Sequence, residues 1–300
     1  MELDINGITV DDTYCEAFDG LLSRLIVTAK DERRLHRAIN SSTALPSTVF
    51  GEAEGGIEKL LGKDETPDGR IGAIIQIWVT YRGKGNDSKT LEYELSKRIR
   101  QGILVTPTTS VFNALDSKER IDIMDKVGHC GDGYESNEHR SGRDVINIPL
   151  MMGEFIIERY IGFKRGVMGG NVWFFCESED VAIEAGDRAV EAIGKVEQAI
   201  TSFDICSAGS KPETNYPEIG PSTNHFFCPT LKGKIKESLV PENIKSIPEI
   251  VINGTSVDVV GNAMKAAIYA AKDVKGVLRI SAGNYDGKLG KYKIYLKDIL

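Results

Sequence analysis

Three hundred residues, 41% hydrophobic and 27% charged, allow one large globular domain or two ordinary ones with a sizeable core. The formal net charge of −7 argues against a broad basic face for duplex nucleic acid, and the acidic start at Met1–Asp4 predicts no cationic secretory leader. The longest apolar run, from Ile71 to Trp78, is interrupted by Gly72 and Gln76 and falls far short of a membrane span.

Short strands alternate with amphipathic helices along the chain. Leu25–Thr28 reads as a strand and Asp31–Ala38 as a helix with an acidic first turn. Ile74–Tyr81 is a second strand, and Thr90–Gln101 a helix with Leu91, Leu95 and Ile99 at a spacing of four. Leu104–Thr106 is expected to begin a strand and Thr108–Leu115 to be helical. Later, Asn171–Cys176 reads as a strand, and Ser178–Ala199 as a long helix with Ala182, Ala185, Ala189, Ile193 and Val196 on one stripe. Glu249–Ile252, Val277–Ser281 and Lys291–Leu296 read as strands, with Ser256–Ala271 a helix between the first two. The Gly/Pro/Ser/Asn stretch Ser207–Pro221 has no period and reads as a long binding loop or lid.

The second half repeats the plan of the first. The expected fold is therefore α+β, two ferredoxin-like (split β-α-β) lobes related by internal duplication, residues 1–150 and 151–300. Two unrelated α/β stretches remain the alternative. The five cysteines (15, 130, 176, 206, 228) are scattered without a C-x-x-C and predict reduced thiols in a cytoplasm. The four histidines (36, 129, 139, 225) show no metal spacing, so no metal centre is expected.

The chemistry concentrates near the C-terminus. Glu249 heads the β-branched run Ile-Val-Ile-Asn253-Gly254, where one face of a strand can bury its carboxyl. The later stretch from Ile280 to Lys291 packs Gly283, Gly287 and Gly290 among Ser281, Asn284 and Lys288, which leaves many free backbone donors. A carboxyl beside such backbone can hold a tetrahedral oxyanion, although non-catalytic turns share the pattern. Asn253 lies four along from Glu249 on the same face, either as an amide donor or as the residue that makes the strand-end turn. Ser281, Gly283 and Asn284 are candidates to present backbone to a substrate, as are Gly169, Gly170 and Asn171. Asp132 and Tyr134 belong to a similar Gly-Asp-Gly-Tyr turn, with Tyr134 placed to stack on a flat ring. For each glycine cluster an ordinary turn is the competing reading, and for Lys288 and Lys291 a solvated surface.

Seven segments in order resemble the formylmethanofuran:tetrahydromethanopterin formyltransferase family. They are Glu65-Thr-Pro-Asp-Gly-Arg70, Thr106–Asn113, Gly131–Tyr134, Gly169–Asn171, Ser222–Asn224 with Cys228-Pro229, Glu249–Gly254, and Ile280–Asn284 with Gly287–Lys291. The resemblance implies two ferredoxin-like lobes, a homo-oligomer (dimer or tetramer), and small-molecule one-carbon carriers as the only ligands. It implies formyl transfer from methanofuran to tetrahydromethanopterin in methanogenesis or formaldehyde oxidation. Both carriers serve as co-substrates, and no bound cofactor or metal is implied. It places the catalytic carboxyl at Glu249, and Lys288 or Lys291 near the acidic tails of the substrates. A non-catalytic paralogue, or a pterin- or furan-binding subunit of a formyl-transferring complex, is the alternative. Three stretches depart from the family pattern: Leu45–Gly55, His129-Cys130, and Ser202–Lys211, where a proline-glycine core is shortened. Such loops are where a paralogue changes when its substrate changes.

Overall fold

The computed structural model describes residues 3–300; Met1 and Glu2 of the acidic start lie outside the described residues. The fold is mixed α+β, and the chain divides into two compact units. One is Gly20–Gly166; the other joins the N-terminal residues up to Asp19 to Val167–Leu300. The turn at residues 150–153, where the two halves were expected to join, links two paired strands inside the first of these units.

In Gly20–Gly166 the strand Tyr14–Thr28, from Gly20 onward, pairs antiparallel with Gly72–Thr80 on one side and with Ser110–Asn113 on the other. Ala53–Leu61 lies beyond Gly72–Thr80, so the four strands stand in the order fourth, first, third, second. Helix Glu32–Thr43 starts where the Asp31 carboxylate accepts from the Arg34 N–H at 3.0 Å, and it buries Leu35, Ala38 and Ile39. Helix Asp87–Arg98 buries Leu91 and Leu95. Leu25, Val27, Ile75 and Ile77 feed one core, while Ile26, Ile74 and Phe112 feed a second on the opposite face. A sheet covered on both faces loses polar alternation, which explains why apolar residues dominate Ile71–Trp78 instead of alternating with polar ones. The hairpin strands Arg143–Leu150 and Gly153–Glu158 extend this sheet, the latter running parallel to Ser110–Asn113.

The other unit follows the same path. Strand Lys164–Cys176, from Val167 onward, pairs with Val277–Ser281 on one side and with Glu249–Gly254 on the other; Ala199–Thr201 flanks the latter. The order is again fourth, first, third, second. Helices Glu179–Ile193 and Val257–Ala271 are capped by Ser178 and Ser256, whose hydroxyls accept from Val181 and Val259 N–H at 3.2 Å. Their buried faces are rich in alanine (Ala182, Ala185, Ala189, Ala263, Ala267), so both helices join one core with Val172, Phe174, Ile250 and Ile252. Truncating a fully buried aromatic such as Phe174 to alanine costs about 3–5 kcal/mol. The long segment between the second and third strands, residues 202–248, builds the cleft described below.

Two sequence expectations are corrected. Leu104–Thr106 is no strand: helix Asp87–Arg98 continues as a wider helical turn over Ile99–Leu104. Thr108–Leu115 is no helix: it contains the strand Ser110–Asn113, entered through Thr108 at φ 67°. A short apolar run buried on both faces carries no period that separates helix from strand. The long helix is also shorter than expected. It ends at Ile193, and Ala199 already belongs to the strand Ala199–Thr201.

Candidate active site

Alternation along Glu249–Gly254 sends Ile250 and Ile252 into the core and leaves Glu249 and Asn253 on the other face. The Glu249 backbone is fixed by exchange with Cys206, whose N–H donates to Glu249 O at 2.9 Å and whose carbonyl accepts from Glu249 N at 3.0 Å. Glu249 is buried, 8% exposed, and lines a cleft of about 380 Å³ with Trp173, Ile183, Ile205, Asn224 and Phe227. The Trp173 indole N–H donates to Glu249 Oε1 at 2.9 Å, and the Cys206 thiol supplies a second hydrogen bond. Burial pushes the Glu249 carboxyl up; the Trp173 and Cys206 hydrogen bonds pull it down, and burial wins. The result is a carboxyl that holds its proton closer to neutral pH than an exposed one does. Burial pushes the Cys206 thiol up as well, with the Glu249 charge adding to the effect.

Behind this pair stands a scaffold made from the other expected residues. A Cβ on Gly283 would meet Trp173 Cζ2 at 2.7 Å, so the missing side chain makes room for the indole. Gly283 N–H in turn donates to Asn171 Oδ1 at 2.6 Å, and Asn171 Nδ2 reaches the carbonyls of Gly283 at 3.4 Å and Gly169 at 3.3 Å. Gly169, at φ 82°, donates its N–H to Asn253 Oδ1 at 3.0 Å. Asn253 is fully buried and also donates to Ser202 Oγ at 3.2 Å. Gly170 packs where a Cβ would strike Val260 Cγ1 at 2.2 Å. Ser281 is buried opposite Trp173 in the strand register.

The glycine-rich loop differs from expectation. Its backbone donors are not free, because the buried carboxylate of Glu16 gathers them. Glu16 Oε1 accepts from Tyr285 N–H at 2.8 Å and Gly287 N–H at 2.5 Å, while Oε2 accepts from Leu289 and Gly290 N–H at 2.7 Å each. Burial pushes the Glu16 carboxyl up, but these four hydrogen bonds together hold it below the usual carboxylate range. Asn284 is likewise engaged, donating to Thr13 Oγ1 at 3.0 Å and the Tyr14 carbonyl at 3.1 Å. Lys288 is exposed and lies 3.5 Å from Asp286, and Lys291 pairs with Asp19 at 2.8 Å. Asp132 (φ 55°) and the exposed Tyr134 belong to the Gly20–Gly166 unit.

Of the candidate site residues singled out one by one, Glu249 alone lines the cleft, beside Ser207, Ala208 and Gly209 of the expected binding loop. Gly169, Asn171, Asn253 and Gly283 are joined in the hydrogen-bonded support behind it. Sequence reasoning missed Trp173, Cys206, Asn224 and Glu16. Trp173 carried a usable signal, since Asn171 and Trp173 fall on one face of a predicted strand. Among the described residues no group of three or more His, Cys, Asp or Glu is placed to hold a metal ion, no helix is long and apolar enough to cross a membrane, and all five cysteines are free.

Comparison with known proteins identifies the family. Residues 3–150 match the family model described as formylmethanofuran-tetrahydromethanopterin formyltransferase, and residues 153–299 match its proximal lobe. A formyltransferase-like protein of Archaeoglobus fulgidus is 63% identical, over 99% of this chain and 98% of that protein. A formylmethanofuran–tetrahydromethanopterin formyltransferase of Methanothermobacter thermautotrophicus is 42% identical, over 99% of this chain and all of that one. The solved formyltransferase of Methanosarcina barkeri superposes with a TM-score of 0.93 at 39% identity, covering 99% of this chain and 100% of that one. With both halves matched in order, the chain belongs to the formylmethanofuran–tetrahydromethanopterin formyltransferase family.

Proposed function

We propose that this chain transfers a formyl group from formylmethanofuran to tetrahydromethanopterin, with Glu249 as the acid of the reaction. The carrying observation is the buried Glu249 carboxyl, raised by burial and held by Trp173 where it lines the cleft. The acceptor's ring nitrogen attacks the formyl carbon, a C–N bond forms, and the carbonyl pair moves onto oxygen. A protonated Glu249 donates a hydrogen bond to that oxygen; one such donor typically contributes ~2.7–4 kcal/mol. On collapse the oxygen pair re-forms the carbonyl and the bond to the methanofuran nitrogen breaks. Glu249 gives its proton to that nitrogen and takes one from the attacking nitrogen, so the carboxyl ends as it began. Both carriers act as co-substrates.

The test is a formyl-transfer assay on wild type and Glu249→Gln. Turnover by the wild type and a loss of about a hundredfold or more in the folded variant are expected. Equal activity in both would remove Glu249 from the role and leave the family intact.

A second reading is a relative with altered substrate loops, acting as a carrier-binding paralogue. It is favoured by one observation: the 63% identical protein is named formyltransferase-like, whereas the 42% identical one is named formyltransferase. Carrier binding without turnover by folded wild type would select this reading.

The two units we read as ferredoxin-like lobes related by duplication, on the support of their shared β-α-β-β-α-β path and identical strand order. A homo-oligomer, dimer or tetramer, in the cytoplasm completes the proposal, and light scattering on the purified protein tests the assembly. The exposed Tyr134 ring and the Lys288 ammonium are proposed to contact substrate. Their alanine variants should then raise a KM.

A further inference from the structure

The side-chain carbonyl of Asn224 is buried without a hydrogen-bond partner. The residue is 7% exposed and lines the same cleft as Glu249. Its backbone is well held: Asn224 N–H donates to the Ala208 carbonyl at 3.3 Å, and the Asn224 carbonyl accepts from Phe227 N–H at 3.1 Å. The neighbouring Thr223 hydroxyl also donates to Ala208 O, at 2.8 Å. The backbone is thus satisfied while the buried side-chain Oδ1 is not. A buried amide oxygen without a donor is unfavourable, and in a group that lines a cleft a catalytic or ligand-binding role is one of the accounts for it. A ligand in that role must bring an N–H or O–H into a cleft whose walls are largely apolar, among them Ile183, Ile205, Phe227 and Ile247.

The donor of a formyl group held on a primary amine is a secondary formamide. It carries one N–H, on the atom next to the reacting carbon. Resting on the proposed function, we infer that Asn224 Oδ1 accepts this formamide N–H and thereby selects and orients the formyl donor. The terminal torsion of asparagine is broad, so the amide can turn toward the cleft without moving its fixed backbone. The bond exists in the bound ground state and fixes the donor's rotation about its C–N axis. Its loss should therefore act first on donor binding.

The test compares formylmethanofuran with an analogue methylated on the formamide nitrogen, in wild type and Asn224→Ala. Titration calorimetry reads binding of each donor whether or not turnover occurs. Wild type is expected to bind the methylated donor about tenfold or more weakly, and Asn224→Ala to bind the two alike. In turnover, the KM for the formyl donor should rise at least tenfold more than the KM for tetrahydromethanopterin. An equal methylation penalty in both proteins, or a KM change confined to the pterin, would overturn the inference. Should the variant fail to fold, a wild type indifferent to the methyl group decides against it alone. Wild type that discriminates between the donors but transfers no formyl group would sink the proposed activity and leave Asn224 in place.

Discussion

Trp173 and Glu249 stand directly opposite each other on neighbouring antiparallel strands, and the indole N–H of one reaches Oε1 of the other at 2.9 Å. The indole can only donate, so this bond favours the ionised carboxylate and opposes the effect of burial. Removing it should push the Glu249 carboxyl further up. If the protonated acid is the working form, activity falls as pH rises through its pKa. Trp173→Phe should therefore move the alkaline limb of the kcat profile to higher pH while lowering the maximum rate about tenfold. An unmoved limb in a folded variant would show that the indole does not set the proton.

Glu249→Gln carries a second consequence, in stability. The folded pKa of Glu249 is raised above its unfolded value, so the wild type has its full contribution at low pH and loses it as pH rises through the folded pKa. Glutamine does not titrate. The melting temperature of Glu249→Gln relative to wild type should accordingly be higher at pH 8 than at pH 4. Scanning calorimetry at the two values checks the sign, and a gap that narrows with rising pH would contradict the burial argument.

The sequence disclosed what was local and periodic. The stripe Ala182, Ala185, Ala189 and Ile193 is the buried face of helix Glu179–Ile193 as expected, and the Glu249 strand starts where its β-branched run predicts. What it did not disclose depends on partners remote in the chain. Strand Ser110–Asn113 is buried on both faces and has no period of its own. The glycine-rich loop shows its donors in sequence, but the acceptor that takes them, Glu16, lies 274 positions from Gly290. Trp173 reads as an ordinary aromatic until the register with Glu249 is known.

Gly283 links that loop to the Trp173–Glu249 pair. Gly283→Ala would place its Cβ 2.7 Å from Trp173 Cζ2 and 3.3 Å from Asn171 Oδ1, so the indole must shift or the loop must open. A fall in kcat of about tenfold is expected, with a change in tryptophan fluorescence. Because both effects run through the indole, Gly283→Ala and Trp173→Phe should be less than additive when combined, by about 0.5 kcal/mol or more. Full additivity would mean that the glycine serves the backbone alone.

Glu16 offers the sharpest separation of fold from chemistry, because it holds the loop without lining the cleft. Hydrogen bonds to a charged group contribute about 1.5–3 kcal/mol each, but four on one carboxylate share its charge and do not sum. Glu16→Ala should therefore cost roughly 3 kcal/mol and expose the amides of Tyr285, Gly287, Leu289 and Gly290 to rapid hydrogen exchange. The pH dependence has the opposite sign to that of Glu249. The folded pKa of Glu16 is depressed, so its contribution is present above the unfolded value and disappears as pH falls through the folded one. Wild type should lose protection at those four amides on acidification below the usual carboxylate range, while Glu16→Gln, which keeps one acceptor oxygen and cannot titrate, should show weaker protection that does not vary over the same range. Protection in the wild type that stays constant through the acid range would mean that something other than this carboxylate holds the loop.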